Sequence, residues 1–190
     1  DMTVCAANIN RSEMPDQLSK QIRSSIFLLG PILSRFRQAT VTYPGGCEIG
    51  LRPIDLHLSG LRALGVEIRE EDGVIRCDGR AMHAGEIHLD YPSVGATENV
   101  IMAAVCLDGT TTIHNAAREP EIEDLGRFLT AMGAEISGAG TTRICIHGGV
   151  QLHPTSFCVM GDRIAAATYL CAAATTGGCI TLNGVNAEDI

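Results

Sequence analysis

The segment Leu61-Arg-Ala-Leu-Gly-Val-Glu-Ile68 returns 68 residues later as Leu129-Thr-Ala-Met-Gly-Ala-Glu-Ile136, and this repetition decides the fold. Leu, Ala, Gly, Glu and Ile are identical in the two copies. Gly65 and Gly133 stand where a helix that is ending favours a left-handed residue. A repeat of this length predicts one supersecondary unit that is used more than once.

Further blocks repeat around these two segments. Each unit begins with an apolar helical run, which leads into a Thr-rich strand, and each second helix is followed by a polar turn and a β-rich segment. The predicted first helices cover residues 24–36, 96–107 and 163–174; the strands after them cover 39–42, 110–114 and 179–182; the β-rich segments are 74–77 and 143–147.

This order predicts an α/β (α+β) architecture with internal pseudo-symmetry. The units cover about residues 20–80, 90–148 and 160–190, and the third stops where its second helix is expected. Residues 1–10 are interpreted as the end of an earlier unit, with a strand at 3–6. We therefore expect the chain to be a piece of a larger protein.

Composition excludes several classes of partner. Hydrophobic residues make up 45% and charged residues 19% of the 190 residues, as in a globular chain and not a disordered one. The net charge of −8 argues against a nucleic acid or an anionic membrane as partner. Because Lys20 is the sole lysine, an anion site must use arginines, backbone N–H groups and helix N-termini. No apolar run approaches the roughly 20 residues of a membrane-spanning helix.

The cysteines point to a reduced, cytosolic protein. Eight are present without a C-x-x-C pair, and some, such as Cys106 and Cys171, lie in apolar runs typical of core positions. The six histidines show no ligand spacing with these cysteines, so no metal site is predicted.

One loop carries the chemistry: Pro44-Gly-Gly-Cys-Glu-Ile-Gly-Leu-Arg-Pro-Ile-Asp-Leu-His57. Three glycines around Cys47 predict an accessible loop, where a thiol can act as nucleophile or proton donor. Arg52 can hold a phosphate or carboxylate in a bidentate manner. The alternative is a free cysteine in a turn, with Arg52 as a surface residue that caps the loop.

The whole string resembles the catalytic loop of UDP-N-acetylglucosamine enolpyruvyl transferases (UDP-N-acetylglucosamine 1-carboxyvinyltransferases). Their signature P-G-G-C-x-I-G-x-R-P-x-D-L-H is matched at every fixed position. Other segments resemble blocks of the same family: Arg23-Ser-Ser-Ile-Phe-Leu-Leu-Gly-Pro31, Pro92-Ser-Val-Gly-Ala-Thr97, Asn115-Ala-Ala-Arg-Glu-Pro-Glu-Ile122 and Asp162-Arg-Ile164.

The resemblance implies a fold and a reaction. The fold is the inside-out α/β barrel, with two domains that each hold three βαβαββ repeats, helices inside and sheets outside. The reaction moves the enolpyruvyl group of phosphoenolpyruvate to the 3′-hydroxyl of UDP-N-acetylglucosamine and releases phosphate, through a tetrahedral ketal and without metal or organic cofactor. It is the first committed step of peptidoglycan synthesis in the bacterial cytoplasm.

The resemblance also implies residue roles. Cys47 matches the cysteine that protonates the methylene carbon of phosphoenolpyruvate and that fosfomycin modifies. Arg52 matches a phosphate-binding arginine and Arg23 a substrate-binding arginine. The implied uridine contacts are Pro53, Ile54, Asp55 and Leu56, and the implied diphosphate contacts are Ser93, Val94 and Gly95. Each group has a structural alternative: Arg23 is a solvated charge on a helix, Pro53 and Asp55 are a helix start, and Ser93 is a helix N-cap.

Departures from the family pattern are few. Tyr91 stands where some members carry lysine and Phe27 where others carry tryptophan, and no role is transferred to them. Asp162 and Arg163 match positions near the family's interdomain crossing, but a helix N-cap explains Asp162 at least as well, so no role is transferred to these two residues either. The resemblance further implies that residues 1–190 are most of one domain, without the family's N-terminal substrate segment and its second domain. In the family, the base that accepts the sugar hydroxyl proton and several arginines belong to that second domain, so the isolated chain is expected to be inactive.

Three other interpretations remain open. A shikimate-pathway enolpyruvyl transferase shares the fold but lacks the Gly-Gly-Cys loop. A paralogue that uses another UDP-sugar as acceptor stays open, because the sugar-facing residues of the family are divided between its two domains. A non-catalytic UDP-sugar-binding module would need neither Cys47 nor Arg52.

Overall fold

The computed structural model describes residues 1–45 and 53–190. Within these residues the helices are α1 Asp16–Ser19, α2 Leu29–Phe36, α3 Asp55–Ala63, α4 Val94–Ala104, α5 Pro120–Ala131 and α6 Arg163–Thr176, with 3-10 helices at Arg23–Leu28 and Ala187–Asp189. The strands are β1 Gln38–Thr42, β2 Glu67–Glu71, β3 Val74–Asp78, β4 Glu86–His88, β5 Gly109–His114, β6 Glu135–Ser137 and β7 Arg143–Gly148.

Two small sheets are built the same way. The first has the order β1-β3-β2 and the second β4-β5-β7-β6, and the shared pairs β1/β3, β2/β3, β5/β7 and β6/β7 are antiparallel. β4 runs parallel to β5. Glu13 takes the equivalent place in the first unit, because it forms an isolated parallel bridge with Thr40 of β1. Both units therefore have the order strand, helix, strand, helix, hairpin.

The two repeated segments end their helices identically. Gly65 and Gly133 have φ of 85° and 103°, as the sequence predicts. Val66 N–H donates to Leu61 O (3.2 Å) and Ala134 N–H to Leu129 O (2.9 Å), the 6→1 bond of a Schellman motif.

A histidine lies over each of these glycines. Methyl groups added to Gly65 and Gly133 would lie 3.1 Å from Cδ2 of His83 and of His153, respectively. The two units therefore share this glycine–histidine contact, although the offset of 68 residues that aligns the two glycines does not align His83 with His153.

The core lies between helices, and the sheets cover it from outside. α4 is buried over most of its circumference and packs on α2 and α3. In β7, Ile144 and Ile146 are buried while the residues between and beside them are more exposed, as a period-two strand requires. β5 is buried at three consecutive residues, Thr111, Thr112 and Ile113. This arrangement agrees with the inside-out architecture that the resemblance implies.

Some predicted elements differ in detail. Residues 24–36, predicted as one helix, are divided between the 3-10 helix Arg23–Leu28 and α2, and Cys171 is exposed on α6 instead of lying in the core. Residues 3–6 and 179–182 are not strands; no described strand lies beside them to accept their ladder hydrogen bonds. None of the helices in the described ranges is long and apolar enough to cross a membrane.

Candidate functional site

The predicted catalytic loop is held at both ends by one stretch of chain. Cys47 and Arg52 lie in residues 46–52, outside the described residues. Before them, Gly45 N–H donates to Ser19 O at 3.3 Å, and a methyl group on Gly45 would lie 2.1 Å from Lys20 O. After them, Arg23 Nη2 donates to Pro53 O at 3.3 Å. Residues 19–23 thus contact the described residues on both sides of the segment.

The residues predicted to bind uridine form the start of α3. Pro53 is exposed, Ile54 is buried in the core, and Asp55 is the first residue of the helix, with Leu56 half-buried behind it. No side chain caps this terminus, and the carboxylate of Asp55 lies in the first turn, where the helix dipole favours negative charge. The predicted helix start is therefore present, and Asp55 stays accessible to a ligand.

The residues predicted to bind diphosphate form the start of α4. Ser93 is its N-cap, with Oγ accepting from Ala96 N at 3.3 Å. Val94 and Gly95 are half-buried in the first turn. Unpaired N–H groups at a helix N-terminus attract anions. The N-cap interpretation of Ser93 is confirmed, and anion binding by the same turn is compatible with it.

His57 and Phe27 join these two helix starts. Their rings meet edge to face, with centroids 5.7 Å apart and an interplanar angle of 89°. A methyl group on Gly95 would lie 2.8 Å from Cε1 of His57 and 3.0 Å from Cζ of Phe27. A glycine at position 95 is therefore required for α4 to approach the imidazole this closely.

The side chain of Asn99 holds His57 in place through a hydrogen bond. Its Oδ1 accepts from Gly30 N (2.8 Å), while its Nδ2 donates to Ile26 O (2.9 Å) and to His57 Nδ1 (3.0 Å). A backbone N–H needs an oxygen partner, so the orientation of the Asn99 amide follows from its contact with Gly30. His57 Nδ1 is consequently an acceptor, and the proton of the neutral ring lies on Nε2.

The surroundings keep His57 neutral. The pKa of His57 is lowered from 6.5 to about 4, first by burial and then by the positive charge of Arg23, while Asp55 opposes the shift. Only 8% of the residue is exposed. His57 is thus a rigid, uncharged spacer between the starts of α3 and α4.

A second titratable group lies one turn into α4. Burial, and then the nearby charge of Glu121, raise the pKa of Glu98 from 4.5 to about 7. Glu121 itself receives hydrogen bonds from Arg163, with Nε at 2.9 Å from Oε1. Asp162, for which the sequence leaves an N-cap open, caps α6 by accepting from Ala165 N at 2.8 Å.

Arg23, residues 53–56 and residues 93–95 are therefore gathered around one buried His57–Asn99 pair. Sequence reasoning missed this pair. His57 closes the catalytic-loop signature without a role, and Asn99 is a polar residue inside an apolar helix, which usually indicates a buried hydrogen-bonding position. Of the cavities lined by described residues, one of about 710 Å³ lies elsewhere, on the first sheet beside Arg37 and Arg76.

Comparison with known proteins identifies the family. A family model described as EPSP synthase (3-phosphoshikimate 1-carboxyvinyltransferase) matches residues 1–190. UDP-N-acetylglucosamine 1-carboxyvinyltransferase 2 of Caldanaerobacter subterraneus subsp. tengcongensis is 56% identical over 96% of this chain and 44% of its own length. UDP-N-acetylglucosamine 1-carboxyvinyltransferase 1 of Carboxydothermus hydrogenoformans is 48% identical over the whole chain and 45% of its own length. The chain spans less than half the length of these relatives.

Solved structures agree on the fold. The enolpyruvyl transferase NikO from Streptomyces tendae superposes with a TM-score of 0.76 at 26% identity, covering 88% of this chain and 40% of its own. EPSP synthase from Acinetobacter baumannii shares the fold, with a TM-score of 0.60 at 24% identity over 80% of this chain and 35% of its own. The resemblance first seen in residues 44–57 is confirmed, and the chain belongs to the EPSP synthase family of carboxyvinyl (enolpyruvyl) transferases.

Proposed function

We propose that this chain provides one side of an active site that transfers the enolpyruvyl group of phosphoenolpyruvate to the 3′-hydroxyl of UDP-N-acetylglucosamine. The observation that carries the proposal is the gathering of Arg23, residues 53–56 and residues 93–95 around His57, with both ends of the Cys47 segment at residues 19–23. The reaction would serve peptidoglycan synthesis, and so cell shape and division, in the bacterial cytoplasm.

Cys47 is the proposed acid. Its thiol proton goes to the methylene carbon of phosphoenolpyruvate while the sugar oxygen bonds to C2, and a later loss of that methyl proton with departure of phosphate restores the double bond. Protonation at carbon is slow, so a positioned acid is valuable. Arg52 and Arg23 are the proposed partners of the anionic groups of phosphoenolpyruvate, and fosfomycin is the proposed covalent inhibitor at Cys47.

The nucleotide is proposed to lie across the two helix starts. Pro53, Ile54, Asp55 and Leu56 would contact uridine, and Ser93, Val94 and Gly95 the diphosphate. Support comes from the exposed carboxylate of Asp55 and from the first turn of α4, where N–H groups and the dipole favour anions. Neutral His57 avoids adding charge between the two subsites.

The other side of the site is proposed to come from a second domain. The relatives are more than twice as long as this chain, and the reaction needs a group that removes the hydroxyl proton. Transfer also requires a cleft that excludes water and holds the reacting atoms in line. We therefore expect no turnover from these 190 residues alone and turnover when the rest of the protein is present.

Phosphate release with both substrates tests the proposal in the full-length protein. Cys47→Ala should abolish release or lower it by about 10²–10⁴-fold, the usual effect of a lost acid–base group. Cys158→Ala is the matched control, because Cys158 is an exposed free cysteine outside the site. Undiminished turnover by Cys47→Ala would refute the role of the loop.

Two further outcomes separate the alternatives. Tight binding of UDP-N-acetylglucosamine without turnover by the full-length protein would favour a non-catalytic module. Turnover with another UDP-sugar or with shikimate 3-phosphate, but not with UDP-N-acetylglucosamine, would favour a paralogue.

A further inference from the structure

The outer face of the second sheet brings together three ligand-type side chains that are far apart in sequence. β4 pairs with β5 in parallel, and the register places His88 beside His114 and Glu86 beside Thr112. Residues two apart on a strand point to the same face. Glu86 and His88 are exposed and His114 is half-buried.

The three side chains already converge. The imidazoles of His88 and His114 stack with centroids 4.4 Å apart and an interplanar angle of 6°. Nε2 of His114 also contacts Oε2 of Glu86. One ligand atom from each residue lies within 4.8 Å of the other two.

We propose that Glu86, His88 and His114 bind a divalent transition-metal ion, zinc in the first instance. Two imidazole nitrogens and one carboxylate oxygen form a ligand set that Zn²⁺ accepts, with water completing a tetrahedron. At tetrahedral angles, bonds of about 2.0–2.2 Å place two ligand atoms of one ion roughly 3.3–3.6 Å apart. The stacked rings of His88 and His114 must therefore rotate so that a nitrogen of each points at the same ion, which partly exposed side chains permit.

The local charges set the strength of the site. Glu86 supplies the one carboxylate among the three ligands, and Nε2 of His114 contacts it. Arg143 of β7 lies directly opposite His114 in the register and places a positive charge nearby. Arg143 should weaken cation binding, so its removal should strengthen it.

The ion would join an edge strand to the sheet. β4 has three residues and one strand neighbour, β5, so few backbone bonds hold it. A metal shared by Glu86 and His88 on one strand and His114 on the next adds a bridge between them. The chain leaves β4 five residues before Ser93, so the bridge would also steady the strand that leads to α4.

The site is independent of the proposed enolpyruvyl transfer. It lies on the exposed face of a sheet, whereas the candidate functional site is formed by helix starts, and none of its ligands belongs to that site. Metal binding can therefore be tested without substrates, and its failure would leave the proposed function unaffected.

The test is a zinc titration of the purified, reduced protein followed by NMR of the histidine ring protons. Cysteine thiols also bind zinc, so a site-resolved signal is needed. Signals of His88 and His114 should move together and saturate at one equivalent, and those of His83 and His153 should not. Unchanged His88 and His114 signals in excess zinc would overturn the proposal.

Variants then assign the ligands. His88→Ala, His114→Ala and Glu86→Gln should each weaken zinc binding at this site about 10-fold or more, since loss of even an outer-shell partner costs that much. His147→Ala is the matched control, because His147 lies on β7 and contacts Thr110 of the same face at 2.9 Å. Arg143→Gln should tighten binding. Equal losses in His88→Ala and His147→Ala would refute the assignment.

Discussion

α4 and α6 occupy equivalent places in successive units, yet one is buried and the other exposed. Both are rich in alanine and both begin at a residue that caps the helix, Ser93 and Asp162. Most of α4 is buried, whereas Ala166 is the sole buried residue of the 14 in α6. An apolar run therefore predicts a helix, but its burial depends on neighbours that the run does not encode.

The attachments of the two helices explain the difference. α4 packs against α2, α3 and α5. α6 is joined to the body near its N-terminus by polar contacts, Arg163 Nε to Glu121 Oε1 (2.9 Å) and, just before the helix, Met160 N to Asp124 Oδ2 (3.2 Å). Ile164, Tyr169 and Leu170 remain exposed on it. In the described structure, α4 is part of the core and α6 lies on the surface.

Truncation of equivalent apolar residues should show the largest contrast. Ile101→Ala in α4 removes a fully buried side chain and should lower the free energy of unfolding by about 2–5 kcal/mol, because transfer and cavity costs add. Leu170→Ala at the equivalent place in α6, where the residue is 41% exposed, should cost at most about 1 kcal/mol. Urea unfolding of both variants measures this, and equal losses would show that α6 is buried in solution.

Acid should lower the free energy of unfolding, because His57 beside α4 must take up a proton when the chain unfolds. Its folded pKa of about 4 lies below the usual 6.5, so the unfolded chain binds more protons between these values. Stability is therefore full above pH 6.5 and falls as pH drops towards 4, by on the order of 3 kcal/mol at most. In His57→Gln this loss should disappear. Unfolding free energies at pH 4.5 and 7.5 test the sign, and an unchanged pH dependence in the variant would contradict it.

Glu98 should act in the opposite direction. Its pKa is raised from 4.5 to about 7, so the folded protein holds the proton more tightly and stability falls as pH rises through this window. Glu98→Gln should therefore stabilise the protein at pH 8, by about 1 kcal/mol after solvent screening, and have no effect at pH 4. Thermal unfolding at the two pH values measures it. Stabilisation of the same size at both would exclude titration as the cause. The equivalent residue in α6 is Ala167, which cannot titrate.

Loss of the two N-caps should affect different parts of the protein, although both caps make the same kind of hydrogen bond. Ser93→Ala should lower the global free energy of unfolding by about 1 kcal/mol, because α4 unfolds with the core. Asp162→Ala loses a similar bond, but it should leave the global midpoint nearly unchanged and speed amide exchange within α6. Hydrogen exchange resolved by residue distinguishes the two, and a global loss in Asp162→Ala would show that α6 unfolds with the core.

Sequence reasoning succeeded where interactions are local. The turns at Gly65 and Gly133 follow from the αL preference of glycine, and the cap at Ser93 from a hydroxyl three residues before the N–H it binds. It failed at residues 179–182, where β-rich composition is present but no described strand lies alongside. A strand is a pairwise structure, so composition alone cannot establish it.

The sequence by itself determined the repeat, the helix ends, the family and, through residues 44–57, the candidate chemistry, because these depend on contacts within a few residues or on a string read directly. Only the tertiary structure decided that Asn99 holds His57, that Glu86, His88 and His114 share one face, and that α4 is buried while α6 is exposed. His57 and Asn99 lie 42 residues apart, and His114 comes 26 residues after His88. Helix packing and strand register, which no local preference specifies, bring them together.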